Sequence, residues 1–432
     1  ANWSFVSLVP ESRFFGNEPC RRAIRAGKQS SAYHFGDRTP PKGDRPLLAS
    51  SLRAETVDNR IWLLSCLQVL PVPLDFRFAI ASDLHIALPH TILDRPGRFH
   101  MVELSVAAFE ATLHHWETLD LDFALLPGDL TQDGELDNHS WLRERLSRLP
   151  FPVYVIPGNH DVLHRNSTHS VMGLNDFASH YRDFGPDDRP YYTRCLLPGV
   201  RLIALNSNDF DSSDRQYGRL DEVQLDWLRQ VLDETRDEFV IVMVHHNAIE
   251  HLPDQSRHPL GRRYMLDNAP VLLELLEAAG VNLILTGHLH VQDIARTGNI
   301  YEITTGSLVS YPHPYRVVQV SAGDRLTLQI ESHRIEALPN WPNLQHYSRN
   351  FMGDRSLSFV LKLLTDEPLN LEETVARSLA PHLRYFWADI AGGDTKFDLP
   401  HLPAAVQRYF ETFDDPPFPA DNRETLAIDL KR

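Results

Sequence analysis

The stretch Phe123-Ala124-Leu125-Leu126-Pro127-Gly128-Asp129 decides the fold. Its apolar run reads as a strand buried on both faces, because a half-exposed strand would alternate apolar and polar side chains. Pro127 and Gly128 end it: the first has no backbone N–H for a ladder, and the second permits a sharp turn. The first residue past the turn is a carboxylate. The same design recurs at four other places. Phe76–Ser82 leads into Asp83-Leu84-His85, and Pro152–Pro157 into Gly158-Asn159-His160-Asp161. Phe239–Val244 leads into His245-His246-Asn247, and Val281–Thr286 into Gly287-His288-Leu289-His290. In open α/β sheets, ligands bind beyond the carboxyl ends of the strands. One aspartate after a strand is commonly a helix cap. Five strand ends that all deliver Asp, Asn or His predict one convergent metal site.

Outward from these strands, residues 74–334 alternate strand-like and helix-like runs, the signature of an α/β architecture. Apolar residues at helical spacing predict helices over 102–116, 134–149 and 221–232, and a fourth over 270–279 that enters with Pro270 and stops near Gly280. The polar loops 87–99, 161–191, 206–219 and 249–267 follow the ligand-bearing strand ends and are expected to wall a pocket. Strand character resumes at Tyr301–Thr305 and Tyr315–Val320. Past Pro339-Asn340-Trp341-Pro342 the pattern is mainly helical. Helices are expected over 357–364, over 371–390 behind an Asn370 cap and over 404–413, followed by a proline-rich tail at 414–421. The expected organisation is an N-terminal extension over 1–70, poorly ordered or outside the natural protein, a catalytic domain over 71–336 and a C-terminal helical subdomain over 337–432.

The formal charge of −16 argues against affinity for a nucleic-acid polymer, which depends on Lys and Arg neutralising phosphates. Cys20, Cys66 and Cys195 are odd in number and widely spaced, which suggests reduced thiols and a cytoplasmic setting. The run Ile61–Val72 is too short for a membrane-spanning helix, which needs ~20 apolar residues.

In an extended segment, residues two apart face one side, so Asp83 and His85 are expected to point together at one ion, and His288 and His290 to repeat the device. Asp129 and Asn159 add oxygen donors and His245 another imidazole. Carboxylate, amide and imidazole without thiolate suit Mn, Fe, Co, Ni or Zn better than Ca or Mg. These donors are too many for one catalytic zinc, which takes three protein ligands and a water; two adjacent ions are expected.

The ordered series Asp83-x-His85, Gly128-Asp129, Gly158-Asn159-His160-Asp161, His245 and Gly287-His288-x-His290 resembles the calcineurin-like metallophosphoesterase superfamily over roughly residues 74–330. Gly128–Gly134 and Phe151–Asp161 further resemble the class III cyclic-nucleotide phosphodiesterases. The resemblance implies an αββα four-layer sandwich with a dimetal site at the strand C-terminal ends. Carried over residue by residue, it implies that Asp83, His85 and His290 bind one metal ion, that Asn159, His245 and His288 bind the other, and that Asp129 bridges them. The ions would be Mn, Fe, Zn or Co. His246 competes with His245 for its place; His245 is preferred because the family ligand usually comes first after the strand. His160 matches the family's non-ligand histidine, which stabilises the transition state or protonates the leaving oxygen, and Asp161 would orient it. The chain departs from many relatives at Asn247, where they carry proline.

The implied activity is hydrolysis of a small phosphodiester, cyclic nucleotides first, by a hydroxide between two cations ~3.5–4 Å apart. The alternatives are a broad phosphodiesterase or phosphomonoesterase acting on glycerophosphodiesters or nucleotides, and a metal-poor protein-binding scaffold, which should have lost ligands. Of His90, His100, His164, His251, His258 and His313 in the loops, one is expected to touch substrate. The aromatic-rich C-terminal helices are expected to stabilise the catalytic domain, to narrow the pocket mouth or to form a homodimer contact.

Overall fold

The computed structural model describes residues 74–95 and 97–429; the extension expected over 1–70 lies outside them. The strands in chain order are β1 (Asp75–Ile80), β2 (Phe123–Leu126), β3 (Val153–Val155), β4 (Tyr192–Leu197), β5 (Val200–Ala204), β6 (Asn208–Phe210), β7 (Gln216–Gly218), β8 (Phe239–Met243), β9 (Leu283–Thr286), β10 (Asp293–Thr297), β11 (Ile300–Thr304), β12 (Pro314–Ala322), β13 (Leu326–Arg334) and β14 (Arg423–Ile428). Two mixed six-stranded sheets result, ordered β14-β13-β12-β1-β2-β3 and β10-β11-β9-β8-β5-β4, with β6 and β7 as a separate hairpin. The helices that cover them are α1 (Ser105–Thr118), α2 (Leu136–Leu146), α3 (Leu174–His180), α4 (Glu222–Glu234), α5 (Pro259–Arg262) and α6 (Ala269–Ala279).

The strand alternation explains the layers. In β2, Phe123 and Leu125 join the core between the sheets, while Ala124 and Leu126 join the core shared with α1 and α2. In β8, Phe239, Ile241 and Met243 face the inter-sheet core, and Val240 and Val242 pack with Leu228 and Leu232 of α4 and Leu272 and Leu276 of α6. Both faces are covered, so the runs read as continuous hydrophobics. Phe78 stacks on Phe123 at 5.2 Å in the inter-sheet core, a pairing worth ~0.5–1.5 kcal/mol beyond burial. The αββα sandwich is the observed architecture. Helix ends follow their chemistry: Asp221 caps α4 by accepting the Gln224 N–H at 2.7 Å, and Gly280 closes α6 with φ 77°.

The C-terminal part differs from expectation in three ways. The helix expected at 357–364 is the last third of a longer one, α7 (Leu344–Thr365). The helix expected over 371–390 is broken into α8 (Glu373–Leu379), a 3-10 turn (Ala380–Leu383) and α9 (Phe386–Gly392). Pro381 lies in that turn, where it cannot donate to a continuing helix; Asn370 takes a left-handed backbone, and α8 begins behind Glu372 instead. After α10 (Ala404–Phe410), the chain returns as β14 along β13, pairing Leu328 with Leu426 and Leu326 with Ile428. Among the described residues, no helix is long and apolar enough to cross a membrane.

Candidate metal centre

Asp83, Asp129 and Asn159 follow β1, β2 and β3 of one sheet; His245 and His288 follow β8 and β9 of the other. The segments that carry them are tight turns. Asp83, His85, Asp129, His288 and His290 all have positive φ, between 42° and 68°, a conformation that costs non-glycine residues of order 1–3 kcal/mol each. Leu84 and Leu289, buried in separate cores, anchor the turns. The His288 N–H reaches the Asp83 carboxylate at 3.1 Å, and the His85 N–H donates to the Asp129 carbonyl at 2.9 Å. The extended Asp-x-His geometry expected from sequence is thus overturned. Asp83 and His85 still converge, but His288 and His290 part company. Gly158 and Gly287 are where backbone must come close: a Cβ would lie 2.2 Å from Asp129 Oδ1 at the first and 2.4 Å from Asp83 Oδ2 at the second.

Two donor sets form. Asp83, His85, Asp129 and His290 each place one donor atom within 4.8 Å of the others, and so do Asp129, His245 and His288. Asp129 belongs to both. Asn159 Oδ1 lies 3.0 Å from His245 Nε2 and extends the second set. The tautomers follow from partners that can only accept. His245 Nδ1–H donates to the Pro127 carbonyl at 2.8 Å, so Nε2 turns its lone pair toward Asp129 Oδ1, 3.4 Å away. His288 Nε2–H donates to the Arg263 carbonyl at 3.2 Å, leaving Nδ1 for the site.

In the first set, His85 Nε2 lies 3.3 Å from His290 Nε2 and 3.7 Å from Asp129 Oδ2, and that oxygen is buried with no hydrogen-bond partner. Lone pairs converge here in a desolvated space, which cations resolve and protein donors do not. Burial, with His100 and His160 nearby, holds His85 well below its ordinary value, and burial with His246 does the same for His288, so both are neutral as ligands must be. Burial lowers His245 too, but Asp129 raises it more, to about 9. The carboxylate demands positive charge there, from a proton or an ion. The residues present fit two metal ions.

His160 borders both sets. Its backbone N–H donates to Asp129 Oδ1 at 2.8 Å, and its ring Nδ1–H to the Gln132 carbonyl at 2.6 Å, with Asp133 at 3.7 Å. Burial would lower this imidazole, yet Asp129, Asp133 and that carbonyl push it up to about 9. The orienting role expected of Asp161 is not observed. Its carboxylate accepts the backbone N–H groups of Gly158, Leu130 and Thr131 at 2.8–3.1 Å and the Thr131 hydroxyl, clamping the two turns that carry Asp129 and Asn159. Burial and Asp129 raise it to about 7, against those three N–H groups. Gln132 and Asp133, which Arg95 engages at 2.9 Å, position His160 instead.

His246 stays outside both sets, its Nδ1 on Ser207 Oγ at 2.7 Å, so the geometry favours His245. His100 was an unranked candidate in the sequence. Its ring lies parallel to His85 at 4.3 Å, with Nε2 buried and unpartnered. The Asn247 amide donates to Thr286 and to buried Glu302, which also accepts the Ala248 and Ile249 N–H groups and so fixes the loop after β8.

The donor sets open into a cavity of about 1660 Å³. Arg95, Gly97, Arg98, Phe99 and His100 line it, with most of the residues between Leu252 and Tyr264 and with Gln216 and Tyr217 from the β6–β7 hairpin. Loop 161–191 does not: it folds back as α3, with Phe177, Tyr181 and Phe184 in the core under β2 and β3. Met352 and Phe359 of α7, Trp387 of α9 and Tyr409 of α10 contribute an apolar wall.

The sequence model of the calcineurin-like phosphoesterases matches residues 76–292, half of the chain. Three relatives add detail. The chain is 27% identical over 190 residues to a probable glycerophosphodiester phosphodiesterase of Arcobacter nitrofigilis, covering 43% of this chain and 63% of that one. It is 32% identical over 170 residues to a probable cyclic nucleotide phosphodiesterase of Synechococcus sp., covering 39% and 58%. To a probable cyclic nucleotide phosphodiesterase of Rhodococcus erythropolis it is 24% identical over 275 residues, covering 63% and 81%. The match thus spans less than two thirds of the first two relatives' own length. This chain belongs to the calcineurin-like phosphoesterase family.

Proposed function

We propose that this chain is a metal-dependent phosphodiesterase, with cyclic nucleotides the first substrates to test and glycerophosphodiesters or nucleotide monoesters the alternative. One observation carries the reading: Asp129 is shared by two convergent donor sets, with Oδ2 buried and unpartnered. Asp83, His85 and His290 would hold one ion and Asn159, His245 and His288 the other, with Asp129 common to both. The donor chemistry suits Mn, Fe, Zn or Co. When bound, such a pair supplies a nucleophile from water at neutral pH and neutralises the phosphoryl oxygens.

The chain's own residues do the rest. His160, fixed through Nδ1 by Gln132 and bordering both donor sets, is placed to give a proton to the leaving oxygen. Asp161 holds the two ligand turns in register, and Glu302 with Asn247 holds the third. We further read residues up to about 336 as the catalytic domain and the following helices as an apolar wall of its cavity. The scaffold alternative is disfavoured because all seven expected donors are present.

The test is a substrate panel with manganese-loaded protein, comparing 3′,5′- and 2′,3′-cyclic nucleotides, glycerophosphodiesters, nitrophenyl diesters and monoesters, with metal content measured alongside. Turnover of diesters at two ions per chain is the expected result. Two bound ions with no turnover of any of these esters would refute the phosphodiesterase reading, and a protein that binds no ions would favour the scaffold.

A further inference from the structure

The cavity is larger than its reaction needs. Pockets for drug-sized ligands run to about 300–1,000 Å³, and this one reaches about 1660 Å³. Its lining has two chemistries. One part holds imidazoles, carboxylates and Arg95 and Arg98. The other is an apolar wall of Leu252 from the loop after β8, Met352, Phe359 and Leu363 of α7, Trp387 of α9, and Phe413 just past α10. Phe359, Trp387 and Phe413 are only partly buried against the helical core behind them, so the apolar atoms they leave uncovered face the cavity. An uncovered cluster of that kind marks a ligand surface.

Ring geometry selects the ligand. Phe359 and Trp387 meet edge to face, with centroids 5.2 Å apart and an angle of 65°. Phe413 is nearly perpendicular to Phe386 and Tyr409, at 88° and 80°. These rings pack edge to face on one another, so the surface they offer is irregular and made largely of ring edges. Among the polar groups of this wall, Ser358, Lys362 and Thr412 are exposed and Asp366 and Tyr409 half-buried, so none is a fully buried partner for a base edge. An irregular surface of edge-on rings, leucines and a methionine suits a flexible chain.

We propose that this cavity takes a phosphoester whose alcohol carries a long aliphatic tail, the tail lying on the wall of α7, α9 and α10 while the phosphoryl group reaches the Asp129 centre. This deepens the phosphoesterase reading and rests on it. Each methylene removed from water adds roughly three- to fourfold in affinity, so the signature is a slope with chain length.

The experiment measures kcat/KM of the manganese-loaded enzyme on nitrophenyl phosphodiesters bearing ethyl, butyl, hexyl and octyl groups, below micelle-forming concentrations. The expected result is a rise of about threefold per methylene in the wild type. Trp387→Ala should flatten it, slowing the octyl ester far more than the ethyl ester, and Phe359→Ala is the second variant if that one fails to fold. Rates independent of chain length, with the ethyl ester still hydrolysed, would overturn the tail site and leave the phosphoesterase reading intact. So would a preference for cyclic nucleotides that Trp387→Ala abolishes. If no ester is hydrolysed, the phosphoesterase reading fails, and calorimetry with ethyl- and octylphosphonate decides the tail site alone. Tighter octyl binding lost in Trp387→Ala supports it; equal binding refutes it.

Discussion

His251, in the loop that walls the cavity, is wholly buried between two carboxylates: Nε2 is 3.0 Å from Glu302, and Nδ1 contacts Asp293. Burial opposes a charged ring, but Asp293 and Glu302 outweigh it and push the imidazole up to about 10. A histidine raised above its unfolded value of ~6.5 stabilises the fold fully below that pH. The contribution fades as pH climbs toward the folded value. At about 1.4 kcal/mol per unit, the ring contributes about 3 kcal/mol near pH 7.5, roughly half of that near pH 9 and almost nothing past pH 10. That agrees in order with the ~3–5 kcal/mol for breaking a buried ion pair. The perturbation is His251→Gln, which cannot carry the charge. Urea unfolding of wild type and variant, followed by tryptophan fluorescence and circular dichroism from pH 7 to 10, gives the difference in stability. Asp421, pushed up to about 9 by burial and by Asp293, titrates in the same window in both proteins and cancels to first order. The difference should shrink by about 3 kcal/mol between pH 7.5 and 10. A difference that does not vary with pH refutes the reasoning.

Other substitutions separate the roles around the centre. Asp129→Asn removes the charge common to both donor sets, so metal content by mass spectrometry should fall and turnover should drop at least about a hundredfold; full occupancy with unchanged rate would show that Asp129 is not shared. His160→Ala should keep the metals and slow esters with poor leaving groups most, and equal slowing of nitrophenyl and alkyl esters would remove the proton-donor role. Asp161→Asn should cost about 2–4 kcal/mol in urea unfolding, because buried backbone N–H groups lose their acceptor. Its residual activity should keep the wild-type dependence on leaving group, whereas a changed dependence would restore Asp161 to the proton-transfer step.

The sandwich was legible because burial on both faces writes each central strand as an unbroken apolar run, as in Phe123–Leu126 and Phe239–Met243. The candidate donors were legible because each lies within a few residues of the end of such a run. Their backbone was not, since Asp-x-His reads the same extended or turned, and only the turned form sends His288 and His290 to different donor sets. Asp161 was misread for a related reason: its neighbour in sequence is His160, but its partners are backbone N–H groups in another turn. The stacking of His100 on His85 had no local signal, because the loop between β1 and α1 brings it there. Pro381 did announce a break that the apolar spacing around it obscured. The strand β14 is short and has one buried position in two near its end, too little to mark it.

That last strand changes what the helical segment is. It leaves the sheet at the end of β13 and returns to the adjacent position, with Leu326 beside Ile428 and Glu331 beside Arg423. The segment is therefore a loop closed at both ends rather than a flap on one hinge, and it cannot swing clear of the cavity without unzipping a sheet edge. Contacts between residues about ninety to a hundred positions apart are slow to form, so that edge should be completed late, after the helices have brought their two ends together. A truncation near residue 338 removes more than a cover: it strips Leu426 and Ile428 from the inter-sheet core. A protease cut within the helices, by contrast, leaves each half still held by its own strand.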